Sequence, residues 1–160
     1  MERVNRILRD PAFKEILDRI GELEADRIFC GHGLGHCMDV ARIAQILNLE
    51  EGVGIEKELV YACGLVHDVG RSVEDRGGVP HAQAGVGVAR ALLERAGFLE
   101  EERKEILEAV AQHGNPEAAG RKDLSGLLYR ADKLSRQCHL CRAARECDWP
   151  EGKKQKEWRV

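Results

Sequence analysis

The sequence predicts an all-α fold of about six helices in a single bundle, and three observations carry that expectation. Aromatic residues are only 4% of the 160 residues, so the core must be built from Leu, Ile, Val and Ala, which suit packed helices better than a β-sandwich. Apolar residues recur at helical spacing in several segments, and no segment alternates apolar and polar side chains as a half-buried strand does. Gly, Asn and Pro interrupt the periodic stretches at intervals that match helix ends.

In the first segment, Asp10 reads as a cap and Pro11 as the first helical residue of "PAFKEILDRIGELEADRI". Phe13, Ile16, Leu17, Ile20 and Leu23 share one face, although Gly21 leaves open a division into two shorter pieces. "GHGLGH" then breaks the pattern. The second helix runs through "HCMDVARIAQILNLE", with His36, Val40, Ile43 and Leu47 on one stripe, and "EGVG" forms a loop. Glu56 to Val69 is the third helix, ending near Gly70. "EDRGGVP" is a loop, and Pro80 opens a fourth helix through "HAQAGVGVARALLERAG". Leu99 to His113 is the fifth, closed by "GNP". Asp123 caps a sixth, "LSGLLYRADKLSRQCHLCRAARE". Residues 1–150 are expected to form one domain and 151–160 a polar, frayed tail.

Hydrophobic residues make up 43% and charged residues 33%, with a net charge of −3. This balance argues for a soluble chain and against nucleic acid as the main partner. No apolar run reaches transmembrane length and the N-terminus lacks a signal-like segment, so no membrane partner and a cytoplasmic location are expected. Six cysteines in a reducing compartment read as thiols or metal ligands rather than disulfides. A homodimer is compatible with the sequence.

The chemistry gathers around "LVHDVGR", residues 65–71. His36 heads one expected helix, His67 ends another, His81 opens a third and His113 closes a fourth. Asp132 lies on a mostly inward face, where a carboxylate is costly unless paired or bound to metal. Imidazole and carboxylate suit Fe, Mn, Zn, Co, Ni or Mg. His36, His67, Asp68 and Asp132 could hold one ion, with His81 and His113 holding a second that Asp68 bridges. Two adjacent metals suit the hydrolysis of phosphate esters. Against this stands the plainer reading, in which each His is a helix cap or dipole partner and Asp132 is simply hydrogen-bonded.

With His36, His67-Asp68 and Asp132 in place, the sequence resembles the HD-domain metal-dependent phosphohydrolase superfamily. "PHAQAG" (His81) and "VAQHGNP" (His113) resemble its six-ligand subgroup. The order and size are similar to small bacterial HD hydrolases that split diadenosine tetraphosphate. The resemblance implies two divalent metals, most often iron or manganese, and a nucleotide or other small phosphate substrate. It implies that Asp68 binds metal and handles a proton near the attacking water. It also implies that Arg71 contacts a phosphate where the family usually has Lys; Arg can do so bidentately. The chain departs from the cyclic-dinucleotide branch at "QHGNPEAAG" and from the diadenosine tetraphosphate hydrolases after Asp132.

Lys133 and Arg136 are candidate phosphate contacts, as helical neighbours of Asp132. Asp39 and Arg42 could line the same pocket, and all four, as helical neighbours of the expected metal ligands, could hydrogen-bond to them. Cys138, Cys141 and Cys147 form C-x2-C-x5-C and, with Cys30 or Cys37, could hold a zinc ion or an iron–sulfur cluster. Alternatively they pack the last helix against the first two. His32 is read as a loop residue at the pocket mouth, and Cys63 as core. The competing functional class is a non-catalytic regulatory module that senses a nucleotide or metal.

Overall fold

The computed structural model describes residues 1–73 and 78–157, so the expected loop at 74–80 falls partly outside the described residues, as does the end of the tail. Seven α-helices are found among the described residues: α1 (Glu2–Arg9), α2 (Pro11–Leu23), α3 (Leu34–Glu50), α4 (Lys57–Val66), α5 (His81–Ala96), α6 (Glu100–Gln112) and α7 (Leu124–Leu134). Short 3-10 turns occur at Val69–Ser72, Pro116–Gly120, Cys138–Leu140 and Glu151–Lys153. The all-α expectation holds, and no strand occurs among the described residues.

Two elements differ from expectation. The sequence reading missed α1, a two-turn helix that buries Val4 and Ile7. Arg3 ties it down, donating to Glu58 at 2.7 Å and Glu102 at 2.6 Å while stacking 4.3 Å from the Phe98 ring. At the other end, the sixth expected helix stops at Leu134 rather than running to Glu146. Residues beyond it are rich in helix formers but lack an apolar stripe, and propensity alone does not sustain a helix. Cys138 and Cys141 therefore do not share a helical face.

The remaining ends follow their local chemistry. Asp10 accepts from the Ala12 amide at 2.9 Å, with Pro11 behind it, and Asp123 accepts from the Gly126 amide at 3.0 Å. Gly21 does not divide α2, which is continuous. The "EGVG" loop is clamped by buried Asn48, whose amide donates to Ile55 O at 2.8 Å and accepts from Ile55 N at 3.0 Å.

Helix α4 is the centre of the bundle, with Leu59, Val60, Ala62, Cys63, Leu65 and Val66 all buried. Two glycines let neighbours approach it and its following turn. A Cβ on Gly64 would lie 2.6 Å from the Ala41 Cα, so α3 and α4 touch backbone to side-chain stub. A Cβ on Gly70 would lie 1.9 Å from His81 O and 2.5 Å from Gly85 N, so the 69–72 turn lies directly on the start of α5. The first contact brings His36 beside His67; the second brings His81 to the turn that follows Asp68.

Candidate metal centre

Six side chains from five elements and their ends meet at one end of the bundle. His36 comes from the first turn of α3, His67 and Asp68 from the end of α4, His81 from the start of α5, His113 from the end of α6 and Asp132 from the last turn of α7. Ligand atoms of His36, His67 and Asp132 lie within 4.8 Å of one another, as do those of Asp68, His81 and His113. His67, Asp68, His113 and Asp132 are buried.

Asp68 joins the two groups. Its Oδ2 lies 3.1 Å from His67 Nε2 and 3.3 Å from His36 Nε2. Its Oδ1 lies 3.4 Å from His81 Nε2 and 3.6 Å from His113 Nε2. One carboxylate thus presents one oxygen to each group. Burial opposes its charge, but the charge of His67 and hydrogen bonds from His113, His36 and His67 hold its pKa well below the usual carboxylate range.

Backbone contacts orient the rings. His67 Nδ1 donates to Gly64 O at 2.8 Å and His113 Nδ1 donates to Val110 O at 2.6 Å. Ser135 Oγ donates to Asp132 O at 2.8 Å and so accepts from His36 Nδ1 at 3.2 Å. With Nδ1 so engaged, Nε2 of each of these three rings points into the site, where it donates to Asp68 when protonated and offers a lone pair to a cation when not. Nε2 of His36 and His67 then face each other at 3.2 Å, and those of His81 and His113 at 3.0 Å. Where neither nitrogen of a pair carries a proton, the pair needs a cation beside it; Arg136 lies 3.2 Å from His36 Nε2 and Arg71 3.5 Å from His81 Nε2, and a divalent ion would serve the same end. Four imidazole nitrogens around two buried carboxylates fit divalent metal, and the contacts that hold Nδ1 of His36, His67 and His113 orient those rings as metal-bound histidines are oriented.

The local electrostatics follow from burial and neighbours. Burial lowers the pKa of His36, and burial with the nearby Arg71 charge lowers that of His81 to about 4. Burial acts to lower His67 as well, but the adjacent Asp68 charge raises it overall. Asp132, despite burial, is held low by the charges of Lys133, His67 and Arg136.

The other expected residues are placed as follows. Arg71 Nε donates to Asp68 Oδ1 at 2.9 Å. Lys133 donates to Asp132 Oδ2 at 2.5 Å, and Arg136 donates to Asp132 Oδ1 at 2.9 Å. All three cations line a pocket of about 290 Å³ that opens beside the six-residue cluster. Asp39 and Arg42 do not share that pocket; they line a neighbouring groove. His32 lines the pocket but is buried rather than at its mouth, its Nδ1 paired with Glu24, which also accepts from the His32 amide at 2.9 Å. Cys37 and Cys63 are core residues, so Cys37 is not a fourth partner for the C-terminal thiols. Cys138, Cys141 and Cys147 line the pocket with Cys30, but no cysteine belongs to a three-ligand group within 4.8 Å among the described residues.

Sequence reading missed Ser135 and Glu24, which position His36 and His32. Arg136 and Lys133, expected as helical neighbours that could bond to the ligands, do pair with Asp132, Arg136 at the i, i+4 spacing.

The model for the HD domain matches residues 33–137, an interval that contains all six residues. The chain belongs to the HD domain family. An uncharacterized protein of Clostridium beijerinckii is 39% identical over 154 residues, covering 96% of each chain. Ribonuclease Y of Oleidesulfovibrio alaskensis is 30% identical over 121 residues, 76% of this chain but only 21% of that protein. The HD chain also superposes on the crystal structure of a predicted HD superfamily hydrolase from an uncultured Thermotogales bacterium. That match has a TM-score of 0.61 and 25% identity, over 92% of this chain and 84% of the other. These likenesses place the HD chain in a hydrolase superfamily. No helix among its described residues is long and apolar enough to cross a membrane.

Proposed function

We propose that this HD domain is a phosphohydrolase that cleaves a phosphoester or phosphoanhydride of a nucleotide, using two divalent metals, iron or manganese by preference. The observation that carries the reading is the placement of Asp68, with one carboxylate oxygen toward each trio of ligand atoms. His36, His67 and Asp132 would hold one metal, His81 and His113 the other, and Asp68 would bridge. The metals would supply a water acidified for attack at phosphorus and neutralise charge on the phosphoryl oxygens.

The chain's own groups divide the remaining work. Asp68, held ionised by its histidine neighbours, is suited to bind metal, and the family resemblance gives it the further role of handling a proton near the attacking water. Arg71, Lys133 and Arg136 face the pocket with their donors close to the carboxylates, where an incoming phosphate would meet them. Arg71 is the most direct of the three, because its bond to Asp68 fixes the guanidinium beside the bridging group. Burial of His67 and Asp68 excludes bulk water from the reacting face.

The net charge of −3 argues against nucleic acid as the main partner, and the three pocket cations suit a small phosphate compound, a dinucleoside polyphosphate among them. A second reading, an RNA phosphodiester, rests on the likeness to Ribonuclease Y. Anaerobically purified protein, assayed with restored metal, tests both. The panel is an aryl phosphate diester, a dinucleoside polyphosphate and a short oligoribonucleotide. Turnover on at least one is expected, and it is abolished in Asp68→Ala while the helical circular dichroism is kept. Full activity of metal-free Asp68→Ala overturns the mechanism. Tight nucleotide binding without turnover under any metal would instead assign a regulatory module.

A further inference from the structure

Residues 135–157 lack the usual means of holding one course. Only Arg136 and Ala143 are buried there, Leu140 is 76% exposed, and the segment has no α-helix. Chain this poor in apolar contact does not repay the entropy of ordering it. It nevertheless forms a wall of the pocket, presenting Cys138, Cys141 and Cys147 to the cavity that Cys30 lines from the loop before α3. Four of the six thiols therefore reach one cavity, and all are free. The remaining two, Cys37 and Cys63, lie in the core.

Burial raises the pKa of the Cys30 thiol, the charge of Arg136 opposes that, and Cys138 and Cys141 are near enough to raise it further. Lys154 is held mainly by Glu151 but is also influenced by Cys147 and Cys138. Three cysteines close in sequence with a remote fourth, ringed by cations, suit an anionic thiolate centre; plant-type ferredoxins use a comparable three-plus-one arrangement. The sulfur spacing selects between the thiophilic occupants. A tetrahedral zinc with 2.3 Å bonds sets its sulfurs about 3.8 Å apart. No three of these sulfurs are within 4.8 Å of one another among the described residues, so as placed they form no single-ion site, whereas a cluster takes its thiolates on more than one iron.

We propose that Cys30, Cys138, Cys141 and Cys147 hold an iron–sulfur cluster that fixes the C-terminal segment as a wall of the active-site pocket. The cluster is a staple in this role, replacing the apolar core that the segment lacks. It binds through groups separate from the six His and Asp side chains, so its presence does not depend on the hydrolase reading.

The test uses the full chain, purified anaerobically or reconstituted with ferrous iron and sulfide. Iron, acid-labile sulfide and visible absorption are measured in wild type, Cys141→Ser, Cys30→Ser and Asp68→Ala. Wild type is expected to bind about two to four sulfides per chain, the range of the clusters that four cysteines hold, and to show thiolate-to-iron absorption. Asp68→Ala should keep both, even if its histidine-bound metal is lost, whereas each cysteine variant should lose them. Limited proteolysis of the cysteine variants should then cut within 135–157 and spare the helices. Wild type that binds no sulfide after reconstitution overturns the proposal, whatever the variants do. Zinc bound at these cysteines in place of sulfide overturns it equally.

Discussion

A buried imidazole has two nitrogens, and what holds one decides what the other can do. Gly64 O holds His67, Val110 O holds His113 and Ser135 Oγ holds His36, each through Nδ1. The first two anchors are main-chain carbonyls of the same helix and survive most substitutions. Ser135 is a side chain and can be removed. Ser135→Ala should leave the fold intact but lower divalent-metal affinity roughly 10- to 100-fold, as loss of an outer-shell partner does. Calorimetric titration with Mn²⁺ measures this, and unchanged affinity would show that packing alone orients His36. The convergence of four His and two Asp was legible from their positions at helix ends and on an inward face. Ser135 was not, because its role depends on how the chain leaves α7, and a serine in "KLSRQ" carries no such signal.

The elements are held in place at two points where backbones nearly touch. A side chain at Gly70 would press on His81 O and Gly85 N, which are backbone atoms and cannot rotate away. Gly70→Ala should therefore separate the 69–72 turn from α5, costing about 1–3 kcal/mol as overpacking does. Chemical denaturation reads the stability loss. Metal analysis should show the His81 and His113 half of the centre weakened more than the His36, His67 and Asp132 half. Equal weakening of both halves would mean that the strain spreads through α4 instead. From sequence, Gly70 read as a helix stop, which is correct but incomplete; its close contacts are made with residues 11 and 15 positions away and have no local signature. Helix α1 went unread for a related reason. It is only two turns long, with Val4, Ile7 and Leu8 as its whole apolar stripe, and what fixes it is Arg3 reaching Glu58 and Glu102, at sequence separations of 55 and 99.

Across the whole molecule, that Arg3 contact links α1 to the starts of α4 and α6 and gives stability a pH dependence. The hydrogen bond from Arg3 lowers the Glu102 pKa, with burial opposing it. For Glu58, burial acts to raise the pKa, but the N-terminal amine and Arg3 bring it down to about 2. Carboxylates depressed on folding stabilise the native state fully above their unfolded pKa of about 4.3, and that contribution is lost as pH falls through the folded values. Arg3→Gln should lower the urea midpoint at pH 7, and the gap to wild type should narrow as the pH is taken from 5 to 3. A gap that stays constant over this range would assign the effect to the Arg3–Phe98 stack alone. The helical architecture at this scale was legible, because periodicity and caps are local. The course of residues 135–157 was not, because the sequence there favours a helix that finds nothing to pack against.

The order in which the six side chains appear along the chain also bears on synthesis. A ribosome that has released the polypeptide as far as Val110 has delivered His36, His67, Asp68 and His81, but neither His113 nor Asp132. At that stage each trio lacks a member, and α7, whose Leu124, Leu127 and Leu128 complete the core, does not yet exist. Closure of the centre therefore waits for α7, and a nascent chain carries an incomplete, less discriminating set of donors until Asp132 emerges.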